Sequence, residues 1–181
     1  MRIIKKILIV LAVILLLVTA VSFIFFSSHV HMDRSIVINQ PPTAVFNYCN
    51  DLHNWNSWSP WYELDPNATY TYSGPQTGVG SSIMWESDKE EVGKGKMTIT
   101  ETQGDSLIKF DIDFMERGSA KGSYHFEPYE TGTKMTWGFD MEAGMNPVMR
   151  IMGGFMDSFM GKDFDRGLKS LQDHLADSST M

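Results

Sequence analysis

Histidines and closely spaced carboxylates are the side chains of this sequence that chemistry could use. His29 and His31 stand two residues apart and together could bind a metal ion. No cluster of cysteines or carboxylates accompanies them, and a metal site needs three or four ligands. No histidine is paired with a nucleophile in a recognisable motif. We therefore predict no metal site, no cofactor and no catalytic residue.

The remaining polar candidates have simpler interpretations. Asp111 and Asp113 alternate onto the polar side of a predicted strand, where solvation is the usual state of a carboxylate. The Gly78-x-Gly80 segment lacks the flanking residues of a phosphate-binding loop. Three tryptophans lie within seven residues and could form the lip of a cavity, contact a membrane or pack two short helices against a sheet: Trp55, Trp58 and Trp61.

Length and composition indicate the class of protein that carries these residues. The chain has 181 residues, of which 43% are hydrophobic and 20% charged, so one globular domain with an appendage is expected rather than a disordered chain. The single cysteine excludes an internal disulfide framework. Subtracting the three N-terminal basic side chains from the net charge of −7 leaves −10 for the rest of the chain. Such an acidic domain lacks the basic surface that binding to nucleic-acid phosphates requires.

The N-terminus carries a run of 20 apolar residues, Ile7 to Phe26, in which only Thr19 and Ser22 are polar. Twenty helical residues rise about 30 Å, the thickness of a bilayer's hydrocarbon core. Three basic residues precede the run, and no acidic residue occurs before Asp33. The positive-inside rule then predicts a cytoplasmic N-terminus in the cell (inner) membrane, with the C-terminal domain on the periplasmic or extracellular side.

Two other interpretations of this run remain open. A cleaved secretory signal is one, with Val18-Thr19-Ala20 as its cleavage site, but a signal's apolar core is usually shorter. A buried core helix is the other, although the run is apolar on every face.

Periodicity in the soluble part predicts an α+β domain. Strands are predicted at residues 32–39, 69–73, 82–86, 93–102, 107–115, 121–127 and 133–141, with turn residues such as Gly104-Asp105 and Thr131-Gly132 between the later ones. Short helices should follow Pro41-Pro42. Large apolar residues alternate onto one face of the sheet and polar residues onto the other, as in an antiparallel sheet covered on one side.

A long C-terminal helix is predicted to cover that face. Val148, Ile151, Met152, Phe155 and Phe159 follow helical spacing, and a second series continues it through Phe164, Leu168, Leu171 and Leu175. Gly153-Gly154 and Gly161 are unusual inside such a helix. Seven of the 13 methionines fall between Met135 and Met160, and methionine suits adaptable apolar surfaces.

This order of elements resembles the helix-grip fold of the START-like (SRPBCC) superfamily, which includes polyketide cyclase/dehydrase and lipid-transport domains. The similar stretches are Ser35-Ile36-Val37-Ile38-Asn39 before Pro41-Pro42, the Asn54-Trp55-x-x-Trp58-Ser59-Pro60-Trp61 box, Tyr70-Thr71-Tyr72-Ser73-Gly74, Gly95-Lys96-Met97-Thr98-Ile99-Thr100-Glu101, Gly132-Thr133-Lys134-Met135-Thr136-Trp137 and Gly161-Lys162-Asp163-Phe164. They cover residues 33–176. The resemblance implies a sheet of six to seven antiparallel strands wrapped on the long C-terminal helix.

The resemblance also implies a cavity between sheet and helix that takes hydrophobic ligands. The residues expected to line it are Phe46, Trp58, Trp85, Met97, Phe110, Phe126, Met135, Trp137, Met152, Phe155 and Phe159. The opposing interpretation is that these side chains pack a solid core.

The division expected is an anchor and tether at 1–30, a ligand-binding domain at 31–177 and a frayed tail at 178–181. The favoured function is a membrane-anchored domain that binds a hydrophobic small molecule or lipid without catalysis. A polyketide cyclase/dehydratase-like enzyme and a non-catalytic protein-interaction module are the alternatives.

Overall fold

The computed structural model describes residues 2–177. In chain order the elements are α1 (Arg2–Phe25), β1 (His29–Ile38), α2 (Pro42–Asn50), a 3-10 helix (Leu52–Ser57), α3 (Pro60–Leu64), β2 (Thr69–Ser73), β3 (Ser82–Glu86), β4 (Lys94–Gln103), β5 (Leu107–Asp113), a 3-10 turn (Met115–Arg117), β6 (Ser119–Tyr129), β7 (Gly132–Glu142), α4 (Pro147–Gly154) and α5 (Met156–Asp177). The frayed tail predicted at 178–181 lies outside the described residues. The predicted α+β class is confirmed.

Seven strands form one antiparallel sheet in the order β1-β7-β6-β5-β4-β3-β2. The strands from β2 to β7 follow one another as a meander, whereas β1 crosses over through the short helices to pair with the last strand. Pro41 and Pro42 end β1 and start α2, because proline donates no hydrogen bond to a sheet and fits the first helical turn. The strand order and the antiparallel pairings confirm the predicted sheet.

One face of the sheet is dry and the other is wet, as the alternation predicts. Register places Ile99, Phe110, Gly122, Phe139 and Met32 in one row across the strands, and all of these except the glycine are buried apolar side chains. The opposite face carries charged pairs such as Lys109–Glu101, whose Nζ and Oε2 atoms lie 2.8 Å apart. An open groove of about 940 Å³ on this side is lined largely by polar residues.

The dry face is covered most tightly where α2 and the C-terminal part of α5 meet it. Leu168 and Leu171 of α5 are almost fully buried. Phe46 of α2 packs edge-on against Phe126 of β6, with ring centroids 5.7 Å apart. The only cysteine, Cys49, is buried in the same layer. This part of the domain is a close-packed core.

The C-terminal helix is divided directly after Gly153-Gly154, the glycine pair that the sequence analysis found unusual inside a helix. α4 ends at Gly154, Phe155 leaves helical geometry with φ −111° and ψ 7°, and α5 begins at Met156. Two consecutive glycines weaken a helix at this point, and both are held against other elements. A Cβ on Gly153 would lie 2.2 Å from a Val30 methyl, and one on Gly154 would lie 2.3 Å from the Phe26 ring.

A short segment connects α1 to the sheet. β1 begins at His29, where it pairs with Glu142 at the end of β7, so only a few residues after Phe25 connect α1 to the sheet. α1 is exposed along most of its length. It is the one helix among residues 2–177 that is long and apolar enough to cross a membrane, a test that signal sequences and buried core helices also pass.

A candidate ligand cavity

A cavity of about 280 Å³ lies between the dry face of the sheet and the N-terminal part of α5. Its lining combines aromatic and aliphatic side chains with a few polar groups: Trp55, Ser59, Trp61, Tyr70, Trp85, Glu91, Val92, Met97, Phe110, Ile112, Phe114, Arg117, Trp137, Phe139, Met160, Asp163 and Phe164. An apolar, aromatic-lined cavity is the usual form of a site for small hydrophobic ligands.

Two glycines make room for the aromatic wall on the sheet. Gly95 faces Trp85 across the β3–β4 pair, and a Cβ there would lie 2.4 Å from the indole ring. Gly122 faces Phe110 across the β5–β6 pair, and its Cβ would lie 2.0 Å from that ring. The absence of a side chain at these positions lets both rings lie flat over the sheet.

The other wall is a cluster of rings that fix one another. Trp137 stacks on Phe164 of α5 with centroids 4.0 Å apart. Trp55 and Trp61 each meet Trp137 edge-on, at 5.6 Å and 6.0 Å. Such geometries are favourable and leave the indoles little freedom. Four of the chain's five tryptophans thus line the cavity.

Several of the polar groups around the cavity are already engaged in holding the structure. Ser59 accepts a hydrogen bond from the Tyr62 backbone at the start of α3, and the Arg117 guanidinium donates to the Glu90 carbonyl at 3.0 Å. Asp163 accepts from Arg166 at 3.0 Å. Burial raises the pKa of Tyr70 to about 12, so this phenol stays protonated at neutral pH.

Outside the cavity lining, three buried polar atoms have no hydrogen-bond partner among the described residues: Asn56 Oδ1, Trp58 Nε1 and the Tyr124 hydroxyl. Burial raises the pKa of Tyr124 well above its usual range, which keeps the hydroxyl neutral. The rings of Trp58 and Tyr124 are in edge-on contact with centroids 5.8 Å apart. Neither residue lines the cavity.

The loop beside the cavity is held by a buried carboxylate. Asp65, at the end of α3, accepts a hydrogen bond of 2.5 Å from Ser87, and Lys89 lies 4.0 Å away. The Ser87 hydroxyl is the main cause that lowers the pKa of Asp65. This contact fixes the loop that contributes Glu91 and Val92 to the lining.

The predicted lining residues fall into three groups. Trp85, Met97, Phe110 and Trp137 line the cavity. Phe46, Trp58, Phe126 and Met135 are buried in the packed core beside it.

The third group contains Met152, Phe155 and Phe159, which are 50%, 50% and 65% exposed and do not line the cavity. Met152 and Phe155 lie on α4 and at its end, which pack beside α1 instead of over the cavity. For Phe159 the reason is the phase of the helix. Phe159 and Phe164 are five residues apart, which breaks the spacing of three or four that one helix face requires. The face turned inward instead carries Met156, Met160 and Phe164.

The sequence analysis did not place Trp55, Trp61, Tyr70, Phe139, Met160 or Phe164 in the lining, although Trp55 and Trp61 were candidates for a cavity lip. The signal for Met160 and Phe164 was present, because their spacing of four residues continues the series of Leu168.

Strand pairing gives the two histidines at the start of β1 partners that are distant in sequence. His29 Nδ1 lies 2.8 Å from Glu142, and His31 Nδ1 lies 2.8 Å from Asp140. The Glu142 carboxylate is the main cause that raises the pKa of His29. Within residues 2–177, no three His, Cys, Asp or Glu side chains are arranged to hold a metal ion.

Comparison with known proteins agrees with this architecture. The family model described as polyketide cyclase / dehydrase and lipid transport matches residues 29–176. No curated protein matches the sequence.

Solved structures with the same fold include a protein of unknown function from Staphylococcus aureus, with a TM-score of 0.63 and 12% identity over 84% of this chain and 97% of that one. A protein from Arthrobacter aurescens has a TM-score of 0.59 and 14% identity, covering 82% of this chain and 87% of that one. Ara h 8.0201 has a TM-score of 0.56 and 12% identity, covering 82% and 99%. The chain belongs to the polyketide cyclase / dehydrase and lipid transport family of START-like (SRPBCC) proteins.

Proposed function

We propose that this protein is a membrane-anchored domain that binds a small hydrophobic molecule or a lipid chain in its cavity and performs no chemistry on it. One observation carries the proposal: a cavity with a mainly apolar and aromatic wall remains open in an otherwise close-packed layer. An unfilled apolar space costs stability, so its presence favours a ligand as the group that fills it.

The size and wall of the cavity indicate the ligand class. About 280 Å³ is at the lower end of the range for small-molecule sites, which favours a single acyl chain or a compact ring system over a two-chain lipid. Met97 and Met160 lie in the wall, and their flexible side chains allow ligands of somewhat different shape. The polar groups Arg117 and Asp163 would face a headgroup rather than the apolar part.

The anchor part of the proposal rests on α1. Its apolar run from Ile7 to Phe26 is exposed for most of its length and follows three basic residues. We propose that it spans the cell (inner) membrane with its N-terminus in the cytoplasm and residues 31–177 on the outer side. A cleaved signal is the alternative. Intact mass of the mature protein separates the two.

A polyketide cyclase/dehydratase-like activity is the second candidate, and the family description favours it. Acid–base chemistry needs at least two polar groups that converge on the reacting atoms. Here Arg117 and Asp163 bond to neighbouring protein groups, and Tyr124 lies outside the cavity lining. Because these polar groups are already hydrogen-bonded or lie outside the cavity, the site favours ligand binding over a chemical reaction.

The test is to purify the full chain from membranes, record native mass spectra and titrate it with a fluorescent fatty acid. We expect a co-purified apolar ligand and saturable probe binding. Ile112→Phe should fill the cavity and weaken probe binding roughly tenfold or more, whereas Met84→Phe adds the same ring at an exposed position of β3 and should change nothing. Absence of bound or exchangeable apolar ligand in the wild-type chain would overturn the proposal.

A further inference from the structure

α4 packs against the end of α1 rather than over the cavity. The Arg150 guanidinium donates to the Phe26 carbonyl at 3.2 Å and lies 4.4 Å above the Phe23 ring. Phe26 also meets Phe155, with centroids 6.0 Å apart. Ser22, one of the two polar residues of the apolar run, is completely buried. The last two turns of α1 and α4 therefore form one packed unit.

Beside this unit α4 presents an apolar, exposed side, whose Phe155 also borders Phe26. It continues into the first turn of α5 and consists of Met145, Val148, Met152, Phe155 and Phe159, which are between 50% and 77% exposed. We call these five residues the outer apolar face. Isolated exposed apolar residues are ordinary, but five on one continuous side form a patch that a soluble surface rarely carries.

Charge is absent from the outer apolar face. Between Met145 and Phe159 the only charged residues are Arg150 and Asp157. Arg150 is turned toward α1, and Asp157 forms an ion pair with Arg34 of β1. Both charges are thus directed away from the face, which leaves it free to enter an apolar environment.

The contacts with α1 fix the depth of this face relative to a bilayer. α4 contacts α1 at residues near Ser22 to Phe26, the final part of the apolar run. At 1.5 Å per residue, the segment from Thr19 to Phe26 is roughly the last 10 Å of a 30 Å span. If the run crosses the membrane, α4 lies beside its outer end, at the boundary between acyl chains and headgroups.

We propose that α4 and the first turn of α5 form an interfacial platform that inserts the outer apolar face into the outer leaflet of the bilayer. The inference deepens the proposed function, since it rests on the anchor. A helix with one apolar and one polar side, lying in the interface plane, is a known membrane-binding form. The platform holds the domain in a fixed orientation on the membrane.

This orientation brings the cavity toward the bilayer. β1 begins and β5 ends at the same end of the sheet, and α4 packs on β1 there through Gly153 and Val30. The cavity is lined at this end by Ile112, near the end of β5, and by Phe114 and Arg117 just beyond it. An acyl chain leaving the outer leaflet therefore has a short route to the cavity.

The test uses the full chain with single introduced cysteines carrying an environment-sensitive nitrobenzoxadiazole label. Val148→Cys, Met152→Cys and Phe159→Cys report on the platform. Leu15→Cys in the middle of the apolar run reports on the anchor, and Val79→Cys is the matched control. Val79 is 57% exposed in the loop before β3, at the opposite end of the sheet. Cys49 is buried, and burial raises its pKa, so it does not react.

Labelled proteins are reconstituted into phosphatidylcholine vesicles with and without doxyl-labelled phosphatidylcholine. We expect the three platform positions to be quenched about threefold or more strongly than position 79, as an interfacial segment requires. Quenching should not change with added salt, because the contact is apolar and the soluble part is acidic. Three platform sites are used so that one misfolded variant does not decide the outcome.

Three results would overturn the inference, and they are distinguishable. Strong quenching at position 15 with none at the platform positions would leave the anchor intact and remove the platform. Absence of quenching at position 15 would remove the anchor, and the platform with it. A blue-shifted platform label that lipid does not quench would indicate that a second copy of the chain covers the face, which also contradicts the proposal.

Discussion

The layer between sheet and α5 has a filled half and a hollow half, although both are built from large apolar residues. In the filled half, Leu171 of α5 and Phe126 of β6 are almost fully buried. In the hollow half, Met160 of α5 and Trp85 of β3 border an open cavity. The difference therefore does not come from composition.

What differs is the helix that covers each half. The filled half receives both α2 and the C-terminal part of α5. The hollow half receives the start of α5 together with Trp55 of the 3-10 helix and Trp61 of α3. α4 does not continue over it, because the chain turns at Phe155 and α4 packs on α1 and β1 instead. The helix segment that could have filled the cavity instead packs against the end of α1. A cavity can thus arise from where a helix bends, without any change in residue type.

The largest expected effect is a contrast between truncations in the two halves. Leu171→Ala should lower the free energy of unfolding by about 2–5 kcal/mol, because the site is fully packed and cannot collapse. Met160→Ala should cost less than about 2 kcal/mol, since its side chain already borders empty space. Urea unfolding of the full chain in detergent micelles, followed by tryptophan fluorescence, measures both.

Adding a ligand should separate the Leu171→Ala and Met160→Ala variants further. A bound fatty acid should raise the urea midpoint of the wild type and of Leu171→Ala by similar amounts, because stabilisation by a ligand depends on its affinity for the folded state. It should raise that of Met160→Ala by a different amount, because Met160 lines the cavity. Equal losses of stability for the two truncations would mean that the hollow half is as tightly packed as the other.

Added bulk should again cost more stability in the filled half than in the hollow half. Leu168→Phe in the filled half should cost about 1–3 kcal/mol through overpacking. Ile112→Phe in the hollow half should leave stability within about 1 kcal/mol of the wild type, since the extra ring enters the cavity. The same urea experiment measures both, and a loss for Ile112→Phe as large as that for Leu168→Phe would argue against an open cavity.

The sequence predicts the strands of the sheet better than the course of the C-terminal helix, for a physical reason. Strands such as β2 and β3 match their predicted bounds because one face is dry and the other wet, so alternation is strict. The course of the C-terminal helix depends on Gly153 and Gly154 packing on Val30 and Phe26, contacts that span more than a hundred residues. No local pattern contains such information.

The same limit applies to partners across the sheet. His29 and His31 meet Glu142 and Asp140 only because β1 pairs with β7, which is distant in the sequence. The four lining residues that the sequence did identify, such as Trp85, are large residues on the inward side of strands. Which residues of α5 line the cavity depends on which face of the helix points inward. The predicted face was wrong at Phe159, because Phe159 and Phe164 are five residues apart and lie on different faces.

A smaller effect is expected at the loop that borders the hollow half. Ser87→Ala removes the hydroxyl that donates to Asp65, so this buried carboxylate loses its strongest partner. The urea midpoint should fall modestly at neutral pH, and probe binding should weaken because the loop carries Glu91 and Val92. The matched control is Ser106→Ala, since the Ser106 hydroxyl donates only to a neighbouring carbonyl in an exposed turn. An unchanged variant would mean that Asp65 does not hold the loop.

The smallest effect is the dependence of this contact on pH. The pKa of Asp65 is lowered, chiefly by Ser87, so its contribution to stability is complete above the unfolded value of about 3.9. That contribution is lost as the pH falls through the lower folded pKa. Without the Ser87 hydroxyl the folded pKa moves up toward the unfolded value, so the stability difference between wild type and Ser87→Ala should shrink below about pH 3.9. Urea midpoints from neutral to acidic pH measure this convergence, and a gap that widens in acid would show that the hydroxyl does not favour the charged carboxylate.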